Sequence, residues 1–449
     1  MKSKDKKRDA IRVGLIGLGT VGKGVAKILD ENGEVIRKRV GLPIMLAAAS
    51  DLDESKKKLL PSKETWFTSD YRKITSDPEI DIVIELIGGH EPAKTILLSA
   101  LKHGKHIVTA NKALLAEHGE ELYVEARREG LDIGFEGSVA GGIPIIRILK
   151  EGLAANRIES FFGIINGTSN YILTKMTEAH HTFNDTLADA QRLGYAEADP
   201  TFDIQGIDSA HKLAILVTLA FGSPVNFKDI YTEGITQVTP LDIEYAREFG
   251  YKIKLLAIAK LKNNEIEARV HPTMIPEGEM LASVNGVFNA IYLVGNALGP
   301  SLYYGRGAGE MPTGSAVVSD LIDIARNIIQ QESSGKSAGH PRVPLMAYLP
   351  EERKPLRIRN MDEIESLYYL RFMVIDHPGV LSSISGVLGE HQISISAVIQ
   401  KGRLAGETVP VVMMTHRCLE RNLRLALEKI DEFPYISEKA MVIRVEGED

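Results

Sequence analysis

The sequence predicts an α/β protein built on a parallel, doubly wound sheet, continued by an α+β region and closed by a small separate module. Three observations predict it. Short apolar runs alternate with helix-patterned segments over residues 1–135. The first run leads into glycines at a fixed spacing. From about Ser366 the pattern restarts as strand, helix, two strands, helix, strand. With 449 residues, 44% apolar and 25% charged, there is material for two or three ordinary soluble cores.

In chain order, IRVGLIG is a short buried strand, followed by GLGTVG and a helix whose apolar positions Val25, Ile28, Leu29 and Ile36 recur at helical spacing. PIMLAAAS is a second strand ending at Asp51. IDIVIELIG is a third, HIVTANK a fourth with its loop, and LDIGFEG follows the helix after Ala113. Apolar strands alternating with helices are the mark of a parallel sheet covered on both faces. Farther on, RIESFFGIING is a long strand and NYILTKMTEA a helix. KIKLLAIAKLKNNEIEARVHPTMI folds as a hairpin about Asn263-Asn264, and Thr313–Ile329 is a long helix capped by Thr313 or Ser315. QESSGKSAGHPRVP has the composition of a linker. The closing βαββαβ order is ferredoxin-like. The expected domains are 1–135, completed by about 305–330, then 136–304, a linker over 331–365, and 366–449.

The bulk properties exclude several classes of function. Net charge is −7, so no basic field invites nucleic acid, and MKSKDKKRD reads as a solvated tail. The early apolar run is too short to cross a bilayer. Cys418 is the only cysteine, which rules out an intrachain disulfide and suits a reducing cytoplasm. No HExxH or CxxC spacing occurs, and His180-His181 reads as surface.

Gly17, Gly19 and Gly22, with Thr20 and Val21 between them, make G-x-G-x-x-G between a strand and a helix. That is the context in which the motif binds a dinucleotide: the first glycine turns, the second lets the pyrophosphate approach, and the third lets helix and strand pack. The first domain is therefore of Rossmann type. Asp51 at the end of the second strand would bind ribose hydroxyls and repel a 2′-phosphate, which favours NAD. Lys56, Lys57 and Lys58 could soften that repulsion, but read first as a solvated helix face.

GYAEADPTFDIQGIDSAHK carries Glu197, Asp199, Asp203 and Asp208 ahead of Lys212. Asp208 and Lys212 lie one helical turn apart. As an exposed pair they would contribute only about 0.3–0.5 kcal/mol. The helix is strongly apolar beyond Lys212, however, which predicts partial burial. Hydride reduction of a carbonyl leaves charge on oxygen that an ammonium can stabilise and protonate, and an amino-acid substrate brings an ammonium that wants carboxylates. A magnesium site is the rival reading; it leaves Lys212 without a role. Asn111 and Lys112 follow a strand at its carboxyl end, where doubly wound sheets bind ligands. EGSVAGGIPII and INGTSNYIL are dense in residues that bond ligands through backbone and hydroxyl groups.

Taken together, GLGTVG, TANKALLA, GFEGSVAGGIPII, NGTSNYILTKM, LGYAEADPTFDIQGIDSAHK and GRGAGEMPTGSAVVSD make the chain resemble homoserine dehydrogenase along nearly its whole length. The tail, with DHPGVL opening its first helix, resembles an ACT regulatory domain. The resemblance implies NAD(P)H-linked, reversible reduction of aspartate 4-semialdehyde to homoserine, in threonine, methionine and isoleucine synthesis. It also implies an α+β substrate and dimerisation domain and a cytoplasmic homodimer or homotetramer without nucleic-acid or membrane partners. Lys212 matches the proton donor. Glu197, Asp203 and Asp208 match substrate carboxylates, with Asp208 also orienting the lysine. Thr109 and Lys112 fall on the cofactor and substrate side, and Gly309 matches a second backbone contact to the nicotinamide cofactor. Glu136, Val139, Gly141 and Ile143 match a sodium site made mostly of carbonyls. In the tail, Asp376, Gly379 and Val380 would hold an amino-acid effector, L-threonine by pathway logic. NADP-preferring members often carry arginine where this chain has Ser50, so NAD or dual use is expected. A catalytically silent binder of nucleotide and amino acid, and an oxidoreductase for another amino-acid aldehyde, are the alternatives.

Overall fold

A computed structural model describes residues 8–334, 343–401 and 407–447. The basic tail over 1–7 and residues 335–342 of the expected linker lie outside the described residues. Two compact units form: Met1–Ile158, His211–Phe227 and Val294–Pro355 make the first, and Glu159–Ala210, Lys228–Leu293 and Leu356–Asp449 the second. Among the described residues no helix is long and apolar enough to cross a membrane.

The first unit holds a six-stranded sheet: β1 (Ile11–Ile16), β2 (Ile44–Ser50), β3 (Trp66–Thr68), β4 (Ile82–Glu85), β5 (His106–Thr109) and β6 (Ile133–Gly134). The spatial order is β3-β2-β1-β4-β5-β6, with neighbouring strands parallel. The order reverses between β1 and β4, which opens a crevice at their carboxyl ends. The runs are continuously apolar because both faces are covered: Val13, Leu15, Ile82, Ile84 and Val108 share one core with Val25 and Leu29 of the helix Thr20–Glu31. Val317, Leu321 and Ile324 complete that core. They belong to the helix Glu310–Ser334, which starts three residues before the expected cap at Thr313. Pro312 sits in its first turn, where a missing N–H costs nothing, and the Thr313 N–H already bonds the Gly309 carbonyl at 3.1 Å. The short edge strand β3 escaped the sequence reading because three residues show no period.

In the second unit the chain continues through β7 (Ile158–Ile164), β8 (Tyr231–Thr232), β9 (Tyr251–Lys262), β10 (Glu265–Pro276) and β11 (Phe288–Gly295). β12 (Gly299–Arg306) falls in the first unit, and the second resumes with β13 (Arg357–Ile358), β14 (Glu365–Ile375), β15 (Ile395–Gln400), β16 (Thr408–Thr415), β17 (Cys418–Leu419) and β18 (Ile436–Val445). β9 and β10 pair antiparallel over their full length. Asn263 and Asn264, both left-handed with φ of 54° and 59°, form the turn that such hairpins need.

The last module has the expected βαββαβ order. The helices Val380–Glu390 and Glu420–Ile430 cover one face of its sheet, packing Ile384, Leu388, Leu423 and Ile430 on Tyr368, Leu370 and Phe372. Its sheet is not a separate layer, however. The order runs β7-β9-β10-β18-β14-β16-β15 without a break. One edge of β10 is covered piecewise by three short parallel segments: β13 on Glu265–Ile266, β8 on Arg269–Val270 and β18 on Thr273–Met274. Ion pairs lie across this join. Arg444 of β18 reaches Glu233 at 2.8 Å and Tyr231 at 3.1 Å, and Glu446 pairs with Lys260 at 2.9 Å and with Arg269. On the other face of the module's sheet, Tyr369 and Arg371 grip Asp242, which is completely buried, at 3.0 and 2.7 Å. Asp242 belongs to the helix Pro240–Glu248, whose start it also closes by accepting from Thr239.

Candidate active site

The three glycines differ as their roles require. Gly17 has φ +102°, and a Cβ there would meet the Leu86 carbonyl at 2.7 Å, so only glycine makes this turn. A Cβ on Gly22 would lie 2.0 Å from the Gly17 carbonyl, whereas one on Gly19 would meet nothing within 4 Å. Gly19 therefore opens to solvent at the N-terminus of the helix Thr20–Glu31, beside Thr20, which is exposed, and Val21. Unpaired N–H groups and the helix dipole make this a seat for phosphate. Gly309, with φ +132°, turns the chain into the helix Glu310–Ser334. That helix lies so close that a Cβ on Gly24 would come 2.1 Å from the Glu310 carbonyl, and Lys23 pairs with Glu310 at 3.1 Å.

Asp51 stands at the end of β2 and is bound on three sides. It accepts the Leu18 N–H at 2.9 Å and the Asp53 N–H at 3.0 Å, and it pairs with Lys56 at 2.9 Å. Burial pushes its carboxyl up, but the Asp53 N–H, the Lys56 ammonium and the Leu18 N–H outweigh burial and hold it below the usual range. The reading of Lys56 as part of a solvated face is thus corrected, while Lys57 and Lys58 are exposed. Lys56 is drawn in because the 3-10 helix Glu54–Leu59, capped by Asp53, turns it back toward the strand end.

At the ends of β4 and β5, Glu85 is completely buried. It accepts the Thr109 hydroxyl at 2.7 Å and the N–H groups of Ile87 and Gly88 at 2.8 and 3.1 Å. Thr109 in turn accepts the Asn111 N–H at 3.0 Å. Asn111 caps the helix Lys112–Glu129 through the Leu114 N–H and ties down Gly89. The hydroxyl of Thr109 is thus committed to shaping the loop, and Lys112, half-buried, occupies the first helical position. Sequence reasoning missed Glu85, because a lone acid in an apolar strand has no spacing to mark it. Downstream, Glu117 pairs with His90 at 3.5 Å and lies 3.8 Å from His211. His90, Glu117 and His118 bring ligand atoms within 4.8 Å of one another, but two of the three are exposed and the ion pair accounts for the arrangement.

Of the acid-rich stretch, Glu197 and Asp199 are exposed, Asp203 is half-buried and Asp208 is 2% exposed. Glu197 lies in a loop held by Gln191, which donates to the Glu197 carbonyl at 3.1 Å, and by Thr168, which donates to the Tyr195 carbonyl at 2.6 Å. Asp203 is in the short helix Thr201–Ile204, and Asp208 opens the helix Ile207–Phe221. Lys212, one turn on in that helix, is 8% exposed. Neither member of the i,i+4 pair is the surface residue that spacing alone would suggest. A residue outside the candidate list joins the acids: Asn166, at the end of the β7 segment, donates to Asp203 at 2.7 Å and to Asp208 at 2.8 Å. Its stretch, INGTSNYIL, stood out by composition and by the family resemblance, neither of which singles out Asn166.

In the segment Glu136–Ile143, Glu136 commits its side chain to the backbone: its two oxygens accept the N–H groups of Ile146 and Arg147, both at 2.9 Å. Its own N–H bonds Asp320 at 2.8 Å. Burial raises both carboxyls, and the charge of Glu136 adds to the shift of Asp320. Val139 and Ile143 are buried, and Ala140 and Gly141 are both left-handed, with φ of 54° and 50°. In the last module Gly379, φ +100°, caps the helix starting at Val380. Asp376 is anchored by its N–H to the Glu407 carbonyl at 2.9 Å, and its Oδ2 is buried without a hydrogen-bond partner among the described residues.

Comparison with known proteins covers nearly the whole chain. The family models "Homoserine dehydrogenase, NAD binding domain", "Homoserine dehydrogenase" and "ACT domain" match residues 17–136, 144–322 and 368–434. A homoserine dehydrogenase of Neisseria gonorrhoeae is 46% identical over 438 residues, 97% of this chain and 99% of that protein. One of Pseudomonas aeruginosa is 45% identical over 437 residues, with 97% and 99% covered. The crystal structure of a homoserine dehydrogenase from Thiobacillus denitrificans, 48% identical, superposes with a TM-score of 0.91 over 97% of this chain and 98% of that one.

Proposed function

This chain belongs to the homoserine dehydrogenase family, and on that premise we propose how its residues divide the work. The reaction is the reversible NAD(P)H-linked reduction of aspartate 4-semialdehyde to homoserine. The glycine loop would hold the nicotinamide cofactor, which would supply hydride to the aldehyde carbon. The carbonyl oxygen then gains negative charge, and Lys212 donates a proton to it, returning as the base in the oxidative direction. Glu197, Asp203 and Asp208 hold the substrate's ammonium, and Asp208 orients Lys212. Gly17, Gly19, Thr20, Val21 and Gly22 seat the pyrophosphate, Asp51 meets the ribose, and Thr109, Lys112 and Gly309 line the nicotinamide side, with Lys112 a second cation for the substrate.

The observation that carries this reading is the burial of Lys212 and Asp208 together at the start of one apolar helix, where a charge is costly without a task or a partner. Lys212→Met is expected to lower kcat by roughly 10²–10⁴ while cofactor binding persists. The measurement is aspartate semialdehyde turnover with NADH and NADPH in parallel, and near-normal turnover by the variant would remove Lys212 from its role.

The finer points of the reading follow. Asp51 with Lys56 on it suits dual cofactor use, since the ammonium offsets repulsion of a 2′-phosphate. Backbone carbonyls of Glu136, Val139, Gly141 and Ile143 would hold sodium; the consecutive left-handed residues and an all-oxygen donor set favour a hard cation. The protein works in the cytoplasm as a homodimer or homotetramer. L-Threonine binds the ACT module with its carboxylate at the helix N-terminus beyond Gly379 and Val380 and its ammonium at the unsatisfied Oδ2 of Asp376.

A further inference from the structure

Asn166 is 5% exposed, and all of its side-chain capacity facing the acids is used. Its Oδ1 accepts the Ser169 N–H at 2.8 Å and caps the helix Gly167–Ala179. Because that oxygen must face an N–H, the amide cannot be flipped, and its two N–H bonds must point at the carboxylates. One goes to Asp203 Oδ1 at 2.7 Å, the other to Asp208 Oδ2 at 2.8 Å. The two acids come from different helices, separated by a turn at Gly206 with φ +80°. The turn fixes their backbones, the Gly206 N–H bonding the Asp203 carbonyl at 3.1 Å, but as like charges the two carboxylates repel. A lysine between them would join them but cancel their charge. An amide joins them and leaves both anionic. Ser169 adds a second tie, its hydroxyl donating to the Asp203 carbonyl at 3.0 Å.

We propose that Asn166 is a positioning residue of the dehydrogenase reaction, which clamps Asp203 and Asp208 at one fixed separation and so makes them a single anionic receptor for the ammonium of the amino-acid substrate. The proposal rests on the reading of these acids as substrate carboxylates. The clamp acts on binding: held acids need no reordering when the substrate arrives, and that preorganisation appears in KM.

Capping and clamping can be separated. Asn166→Ser keeps a good cap for Ser169 but has one hydroxyl, which cannot reach both acids. Its kcat/KM for homoserine is expected to fall by about 10- to 100-fold, the scale of one charge-assisted bond, mostly through KM. The melting temperature and cofactor Kd should stay close to those of the parent. Should the serine variant fail to fold, Asn166→Thr carries the same comparison, being a cap with a single hydroxyl and no charge. Asp203→Asn and Asp208→Asn are measured alongside. Impaired aspartate variants with an unimpaired Asn166→Ser would overturn the clamp alone. Normal turnover in the aspartate variants would overturn the site reading on which it rests.

Discussion

At the scale of single residues, two glycines three positions apart should behave in opposite ways. Gly19 has open space where its side chain would be, and Gly22 has a carbonyl at 2.0 Å. Gly19→Val is expected to fold and to lose cofactor affinity, read as a large rise in Kd by fluorescence titration. Gly22→Ala is expected to lose stability first, read as a lowered melting temperature, because backbone must move. Their different surroundings could be read from the spacing, since each follows from a backbone requirement of one motif. Asn166 could not, because its partners are 37 and 42 residues away and no local pattern encodes them. The same holds for Lys254, 2% exposed in β9, which donates to the Val284 carbonyl at 2.6 Å and to Asn285 and Asn170 at 3.1 and 3.3 Å. Burial, with Lys252 adding, lowers its pKa to about 8. Between that value and its unfolded pKa of about 10.4 the unfolded chain binds a proton that the folded one does not. Stability from this group is therefore present at high pH and is lost as pH falls through about 8. Lys254→Met should be less stable overall but should show a flatter rise in melting temperature between pH 7.5 and 9.5 than the parent; parallel curves would refute the assignment.

At the scale of elements, the end of β2 and the 3-10 helix Glu54–Leu59 are held together by the Asp51–Lys56 pair. Asp51 braces the glycine loop through Leu18 and carries Lys56, so replacing Asp51 would disturb both. Ser50, 3% exposed, leaves little room for an arginine. The cleaner substitution is Lys56→Ala, which frees the Asp51 carboxylate to repel a 2′-phosphate. The ratio of kcat/KM with NADPH to that with NADH is expected to fall several-fold; an unchanged ratio would show that Lys56 does not face the adenosine ribose. Strand ends and the Asn263-Asn264 hairpin were legible because period and turn chemistry are local. The start of the helix Glu310–Ser334 was not, because its first turn is fixed by packing on Gly24 rather than by a capping side chain.

At the scale of the whole molecule, the βαββαβ order of the tail was legible and its attachment was not: β18 reaches β10 over two residue pairs, too few to leave a sequence signal. Through that join the regulatory module shares charges with the segment Tyr231–Glu233, and the next residues lead back to the acid-bearing helix, where the Ile235 N–H bonds the Ile204 carbonyl at 2.9 Å. Threonine is expected to inhibit the full chain, and Asp376→Ala to lose that inhibition at unchanged basal turnover. Equal inhibition of both in a threonine titration would place the effector elsewhere. The piecewise covering of β10 also bears on how such an enzyme can be freed from feedback. Cutting the chain after Asn360 would strip β18 away, bare the Thr273–Met274 edge and leave Asp242 without Arg371 and Tyr369, and breaking a buried pair of this kind costs about 3–5 kcal/mol. An open strand edge recruits other strands, so the shortened enzyme is expected to precipitate rather than run unchecked. The regulator is thus no detachable cassette: a lineage, or an engineer, seeking a deregulated enzyme would have to keep the module and blunt its ligand site.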